Sequence, residues 1–165
     1  MKTETLQDLY FKELHDLYGS EKLLVKSLPQ FMDSAELPEL RQALAHHLAE
    51  TRGQVTRLEQ ILQIHGEKPA VKKSKALEGI LREGEEDAAD AASGSVRDAA
   101  IVAAMQQVEH YEIAAYGSLQ TYAIHLGFGD AGKLLQTTLD EERAADQKLT
   151  QLALQYTKVE VTRTA

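Results

Sequence analysis

The segment Val108-Glu-His-Tyr-Glu-Ile-Ala-Ala-Tyr-Gly117 carries the pattern from which the fold can be argued. Its apolar residues recur at the three- and four-residue spacing of an amphipathic helix, yet Glu109 and Glu112 occupy two successive positions of the apolar stripe. Followed in both directions, the stripe runs through positions 102, 105, 109, 112, 116 and 119. The pattern predicts a long helix from Ser95 to Gly127 that turns two acidic side chains towards the protein interior.

Three further segments show the same helical period and are separated by helix-breaking residues. They run from about Thr3 to Met32, from Pro38 to Gly66 and from Asp130 to Tyr156. Short turns join the first helix to the second and the third to the fourth, so each pair is expected to form an antiparallel hairpin. Ser95 and Asp98, at the start of the third helix, have the Ser-x-x-Asp spacing of a capping box.

A connection of roughly 30 residues links the two hairpins and is long enough to cross the bundle from end to end. Its apolar positions predict one short amphipathic helix near residues 75–89. Two antiparallel helical hairpins joined by one long crossover define the ferritin-like form of an all-α four-helix bundle. We therefore predict a single domain over residues 1–157, followed by a disordered tail over residues 158–165.

The composition is that of one helical domain. The chain has 165 residues, of which 43% are hydrophobic and 27% charged, so it can bury a core. The absence of cysteine excludes disulfides, thiolate metal sites and cysteine nucleophiles. A net charge of -8 argues against a nucleic-acid partner, and no apolar run approaches the roughly 20 residues of a membrane span. Since no apolar signal core follows the N-terminus, we expect a cytoplasmic protein.

Acidic residues also interrupt the apolar stripes of the other helices. Glu21 lies on the stripe of the first helix and Glu142 on that of the fourth, while Glu50 lies beside the broader stripe of the second. Counting residues from the turns, at about 1.5 Å per residue, places these three acids and Glu112 within about 5 Å of one level. Four helices are thus predicted to bring carboxylates to one layer near the middle of the bundle.

Burying several carboxylates together is unfavourable unless they share protons, meet buried cations or bind a multivalent metal. The stripe positions offer no lysine or arginine as a partner. A dinuclear metal centre is the simplest explanation, and hard oxygen ligands favour iron or manganese over copper. A single glutamate on a stripe usually belongs to a helix that is phased slightly differently, with its charge reaching solvent. Five such acids on four helices at one level favour a metal site, past or present, over that interpretation.

Two histidines and two tyrosines lie near these acids in the pattern. His47, one turn before Glu50, could bind a metal or hydrogen-bond a metal ligand, although a hydrogen-bonded core histidine is the more frequent situation. His110 projects about 100° away from its acidic neighbour and is expected to pack or to orient a ligand. Tyr18 and Tyr116 are expected in the core, with a redox or hydrogen-bonding role as the less frequent alternative.

Four segments of the chain resemble the bacterial YciE/YciF family. They are Glu13-Leu-His-Asp-Leu-Tyr-Gly-Ser-Glu21, His47-Leu-Ala-Glu-Thr-Arg-Gly-Gln-Val55, the segment 108–117 quoted above and Thr138-Leu-Asp-Glu-Glu-Arg-Ala-Ala-Asp146. The resemblance covers nearly the whole chain. It implies a ferritin-like fold related to rubrerythrin, an association with bacterial stress responses and a homodimer.

The same resemblance implies a set of metal ligands, carried over from the wider ferritin-like pattern: Glu21, Glu50, Glu109, Glu112 and Glu142. That pattern usually has a histidine three residues after the acids of the second and fourth helices, but this chain has Gly53 and Ala145 there. Gln54 and Asp146, one residue later in each case, are the nearby substitutes. They complete the expected ligand set for a dinuclear iron or manganese centre.

Three functions remain open at this point. The first is an oxidase whose di-iron or iron–manganese centre reacts with dioxygen or peroxide. The second is a non-enzymatic stress protein, a dimer with a vestigial site, and the third is an iron-binding protein without turnover. An alanine-rich surface on the second and third helices, with Phe11 off the main stripe of the first, favours a symmetric homodimer through the first two helices. Metal ions are the other expected partners, and neither nucleic acid nor membrane is expected.

Overall fold

The computed structural model describes residues 3–161, with side chains described for residues 3–154. The described chain forms five α-helices and no strand: α1 (Leu6–Ser34), α2 (Pro38–Ile64), α3 (Lys75–Asp90), α4 (Ser95–His125) and α5 (Gly129–Val161). The predicted all-α bundle, with four long helices and a short crossover helix, is confirmed. Within residues 3–161, no helix combines the length and the apolar character that crossing a membrane requires.

Local sequence signals account for several helix ends. Thr5 caps α1, because its hydroxyl accepts a hydrogen bond from the backbone N–H of Asp8 while the Asp8 carboxylate accepts one from the N–H of Thr5. Gly66 and Gly127 follow the ends of α2 and α4 with φ angles of 71° and 76°, a region that favours glycine. The boundary predicted at residue 157 falls inside α5, and positions 162–165 of the predicted tail lie outside the described residues.

The two hairpins, α1 with α2 and α4 with α5, pack together through α1 against α4 and through α2 against α5. The start of α4 lies beside the turn between α1 and α2, where the Asp98 carboxylate accepts hydrogen bonds from the backbone of Glu36 and Leu37. The crossover that contains α3 therefore runs the length of the bundle, from the end of α2 to the opposite end. This is the arrangement predicted for two hairpins joined by a long crossover.

The crossover is held closely against α1 and α4. The hydroxyl oxygen of Tyr111, on α4, lies 3.0 Å from Ser74 Oγ of the crossover and 3.3 Å from Ser20 Oγ of α1. At Gly19 an added Cβ would overlap the backbone carbonyl of Lys72, so glycine is what allows the crossover to approach α1 this closely.

The apolar core consists of two clusters, one towards each end of the bundle. One contains Leu28 and Leu44 near the turn between α1 and α2, and the other contains Tyr10 and Leu62 near the opposite end. Between the two clusters lie buried acidic, imidazole and amide side chains, which we call the carboxylate layer: Glu21, His47, Gln54, Glu109, Glu112 and Glu142. The core is therefore interrupted at the level at which residue counting placed the acids.

Asp98 does not cap its own helix. The N-cap of α4 is Gly94, without a side-chain cap hydrogen bond, so the capping box predicted for Ser95 and Asp98 is wrong. The Asp98 side chain is fully buried, and it accepts hydrogen bonds from the backbone N–H groups of Glu36 at 2.8 Å and Leu37 at 2.9 Å. It therefore satisfies the backbone at the start of α2, which is its neighbour in space and not in sequence.

We expect Asp98→Ala to lower the free energy of unfolding by about 2–3 kcal/mol, because it leaves two backbone N–H groups without their acceptor. Asp130→Ala is the matched control, since the Asp130 side chain is 83% exposed on the first turn of α5. Its effect should stay within about 0.5 kcal/mol. Urea unfolding followed by circular dichroism measures both values, and equal effects would contradict the role given to Asp98.

Candidate metal centre

Four buried side chains of the carboxylate layer converge on one point. His47 of α2, Glu109 and Glu112 of α4, and Glu142 of α5 each offer one ligand atom, and these atoms lie within 4.8 Å of one another. None of the four residues is more than 5% exposed. Donor atoms that share a cation at about 2.0–2.6 Å lie within about 4–5 Å of one another, so the spacing suits a common ion.

The polar atoms of this four-residue group lack hydrogen-bond partners. Both oxygens of Glu112 and of Glu142, one oxygen of Glu109 and both ring nitrogens of His47 are buried without one while the acids are ionised. Protons would allow two carboxyl–carboxylate hydrogen bonds, between Glu21 and Glu112 and between Glu109 and Glu142. His47 Nδ1 lies 3.4 Å from Glu109 Oε1, but not in the geometry of a hydrogen bond. Each buried polar group left in this state destabilises the fold by about 1–3 kcal/mol. Protons or a bound cation would therefore stabilise this four-residue group.

Burial changes the proton affinity of every acid in the layer. It raises the pKa of Glu21 and of Glu109 to about 8, and the hydrogen bond from Tyr116 opposes the shift at Glu21 only in part. Burial, reinforced by the neighbouring carboxylates, raises the pKa of Glu112 and of Glu142 well above the ordinary value. Burial and mutual repulsion thus favour the neutral form of all four acids as long as no cation lies among them.

His47 differs from the sequence expectation. A hydrogen-bonded core histidine was the favoured interpretation, and it is wrong, because neither ring nitrogen has a hydrogen-bond partner. Burial lowers the pKa of His47 to about 4, so the ring is neutral at pH 7 and keeps a lone pair for a ligand bond. The signal that could have identified it is its position on the stripe of α2, two turns before Gln54.

Glu21 lies beside the four-residue group and is held by a tyrosine. The Tyr116 hydroxyl, fully buried, donates a hydrogen bond of 2.5 Å to Glu21 Oε1, while Oε2 of Glu21 has no partner. The negative charge of Glu21 contributes to the raised pKa of Glu112, which places the two acids close together. Tyr18 is buried as well, but its hydroxyl donates to Glu59, away from the layer.

A second polar pair adjoins the layer without neutralising it. Arg57 of α2 forms a bidentate ion pair with Glu141 of α5, at 2.8 and 2.9 Å, and also donates to Thr138. Gln54 Nε2 donates to Glu141 at 3.2 Å, which leaves the buried Oε1 of Gln54 without a partner. Arg57 does not occupy a position of the apolar stripe of α2, so the sequence pattern does not predict an arginine near the layer. Arg57 lowers the pKa of Glu21, but its hydrogen bonds go to residues outside the layer.

Two of the predicted ligands lie at the edge of the layer. The Glu50 side chain is 27% exposed, and its Oε2 lies 3.6 Å from Nδ1 of His46. The Asp146 side chain is 22% exposed, and its Oδ1 lies 3.3 Å from Nε2 of His110. The structure thus brings Glu109, Glu112 and Glu142 together with His47 and sets Glu21 and Gln54 beside them. Glu50 and Asp146 lie near surface histidines, but both remain close enough to the layer to raise the pKa of Glu109, and Oδ1 of Asp146 is buried without a hydrogen-bond partner. His110 itself is 70% exposed, so it is not packed in the core.

Comparisons with known proteins agree with this architecture. Residues 5–162 match the family described as "Domain of unknown function (DUF892)". Protein YciF of Escherichia coli K12 is 42% identical over 155 residues, which span 93% of each chain. The crystal structure of the E. coli stress protein YciF superposes with a TM-score of 0.89 at 41% identity, covering 94% of this chain and 98% of that chain.

A second solved structure gives the same result. YcfI of Rhodopseudomonas palustris superposes with a TM-score of 0.88 at 42% identity, covering 90% of this chain and 95% of the other. Identity at this level over nearly the full length of both chains shows common ancestry as well as a common fold. The chain therefore belongs to the DUF892 family, to which the resemblance of its four acidic segments to YciE and YciF pointed.

Proposed function

We propose that the protein is a stress-response protein whose carboxylate layer holds a dinuclear iron or manganese centre. The observation that carries the proposal is the convergence of His47, Glu109, Glu112 and Glu142 on one point, buried and without hydrogen-bond partners. A structural polar cluster would satisfy its own atoms, as the pair of Arg57 and Glu141 does. The E. coli relative is described as a stress protein, which supports the physiological part of the proposal.

The donor set fits hard divalent metals. Carboxylate oxygens with one neutral imidazole suit iron and manganese, and the absence of thiolates makes softer metals poorer candidates. His47, Glu109, Glu112 and Glu142 would hold one ion. Glu21 and the unpartnered Oε1 of Gln54 would extend the site to a second. Glu50 and Asp146 stay predicted ligands, and the buried Oδ1 of Asp146, which has no hydrogen-bond partner, is open to a metal.

A loaded centre of this type would supply electron transfer to dioxygen or peroxide. The chain's own contribution is to bury the site between two apolar clusters, to keep His47 neutral, and to orient Glu21 through the Tyr116 hydroxyl. The second candidate function is a structural one with a vestigial site. Two observations favour it: YcfI is described as a candidate structural protein, and Gly53 and Ala145 stand where the ferritin-like pattern has histidines.

Binding of Mn(II) distinguishes the metal-binding function from the structural one. We expect Mn(II), at a concentration one hundred times its Kd, to stabilise the metal-free protein by about 2.7 kcal/mol, which raises its melting temperature by about 5–10 °C. Glu142→Gln should weaken Mn(II) binding at least tenfold in isothermal titration calorimetry, a loss of about 1.4 kcal/mol. Glu83→Gln, an exposed change on α3, is the control and should leave the affinity unchanged. No binding by the wild-type protein would favour the structural function.

The pH dependence of metal-free stability tests the electrostatics directly. The pKa of Glu112 is higher in the folded state than the value near 4.3 in the unfolded chain. The protonated Glu112 side chain therefore contributes fully to the free energy of unfolding below about pH 4.3, and this contribution is lost as the pH rises through the folded-state pKa. The glutamine of Glu112→Gln does not titrate. The free energy of unfolding of this variant, relative to that of wild type, should therefore increase between pH 4.5 and pH 7.5 by at least about 1.4 kcal/mol, the equivalent of one pKa unit.

Urea unfolding at a series of pH values, with Glu83→Gln as the control, measures this difference. Subtracting the wild-type curve removes the general acid sensitivity that both proteins share. A Glu112→Gln protein that is clearly less stable than wild type at pH 7.5 would mean that a structural partner holds Glu112 as an anion. The proposed centre would then lose its most central ligand.

We also propose that the protein is a homodimer. The resemblance to YciE and YciF supports this proposal. The expected alanine surface does not: Ala49 on α2 and Ala99, Ala103 and Ala114 on α4 are exposed and Ala43 is half-buried, but α2 and α4 are not packed neighbours, so these residues do not share one face of the bundle. Phe11 gives this proposal no support, because its ring packs against Tyr10, His65 and Phe128 at the end of its own bundle. Sedimentation velocity at micromolar concentration should give about twice the chain mass of 18.3 kDa. A monomer mass would contradict the proposal.

A further inference from the structure

A cleft opens between α2 and α5 and leads from the surface to the carboxylate layer. Its volume is about 700 Å³, which lies in the range of small-molecule sites. Glu39, Gln42 and Lys148 belong to its polar lining, and His47 and Glu109 line its buried end. The cleft thus connects solvent with two members of the four-residue group.

The cleft is apolar along much of its length. Alanines contribute small side chains from both helices, Ala43 and Ala45 from α2 and Ala144 and Ala145 from α5, and Met105 of α4 contributes a buried thioether. Facing alanines leave space between two helices where larger residues would close it. A thioether makes favourable contacts with aromatic rings. The shape and chemistry of this section suit a flat apolar group.

The buried end of the cleft is polar and unsatisfied. His47 Nε2 and Glu109 Oε2 are buried and have no hydrogen-bond partner. A hydroxyl group can donate to the carboxylate or exchange a hydrogen bond with the imidazole, so it satisfies either atom. An anionic group would instead meet the carboxyl groups of Glu39 and Glu50 along the cleft, where Lys148 is the one lysine or arginine of the lining.

We propose that this cleft binds a small uncharged aromatic molecule that carries a hydroxyl group, of which phenol is the simplest. The ring lies between the alanine surfaces of α2 and α5, and the hydroxyl reaches His47 and Glu109. The cleft shares His47 and Glu109 with the proposed metal centre, so the inference rests on that proposal for the role of the ligand. Binding of phenol to the metal-free protein does not require a metal. The two proposals can therefore fail separately.

The methionines provide the readout. Met105 belongs to the core cluster near the turn between α1 and α2 and lines the cleft, whereas Met32 packs against the same cluster and does not line the cleft. In metal-free protein labelled at the methionine methyl groups, phenol should shift the Met105 signal saturably through its ring current and leave the Met32 signal in place. Toluene, which lacks the hydroxyl, and benzoate, which carries a charge, should bind at least ten times more weakly.

Two substitutions that fill the cleft test the location. Ala144→Phe and Ala45→Phe place a ring in the cleft from exposed positions, so both should fold, and each should weaken phenol binding at least tenfold. Ala103→Phe, at an exposed alanine of α4 that does not line the cleft, is the control and should bind as wild type does. All three variants should still bind Mn(II), because none of the changes removes a predicted metal ligand, and this keeps a failed metal proposal distinct from a failed cleft.

Several outcomes would overturn the proposal. They are no saturable shift of Met105 with phenol, equal affinity for toluene, tighter binding of benzoate, or unchanged phenol binding in both cleft-filling variants. Sedimentation of the Ala144→Phe variant adds a further test. If this change alone alters the oligomeric state, the cleft is an interface between copies of the chain and not a small-molecule site.

Discussion

The burial of unpaired acids in the middle of the bundle is the constraint on which the rest of the structure depends. While ionised, Glu112 and Glu142 have no hydrogen-bond partner on either oxygen, and the ring of His47 has none on either nitrogen. Apolar side chains at these positions would join the two core clusters into one and would stabilise the fold without any ion. The chain instead keeps a layer that is stable only when protons or a cation occupy it. Such an arrangement is typical of a site and not of a scaffold.

Helical phase predicted which acids face inwards, because the period of 3.6 residues is a local property of the chain. Glu21, Glu109, Glu112 and Glu142 are all fully or almost fully buried, as their stripe positions indicated. The prediction was weaker for α2, whose stripe is broad. There the side chain of Glu50 turns towards His46 at the surface, and His47 takes the inward position beside the acids. A rotation of a fraction of a turn separates these alternatives, and sequence spacing alone does not fix it.

Contacts between residues distant in sequence were the part that could not be predicted. Asp98 lies three residues after Ser95 and has the local spacing of a capping residue. Its carboxylate nevertheless accepts hydrogen bonds from the backbone of a turn about sixty positions earlier in the chain. Arg57 lies near Glu21, but its hydrogen bonds go to Glu141 and Thr138. In both cases the partner is chosen by the packing of one hairpin on the other, which follows from the fold and leaves no periodic trace in the sequence.

The position of the four-residue group would couple a bound metal ion to the cleft. Its donors come from α2, α4 and α5, and the contact between α2 and α5 is less extensive than the contact within either hairpin. An ion bound by His47 and Glu142 would therefore tie together the two helices whose separation forms the cleft. A ligand lying between the same helices would in turn set the distance between those two donors. Because coupling between two sites is reciprocal, any effect of the ion on the affinity of the cleft must be matched by an equal effect of the cleft ligand on the affinity for the ion.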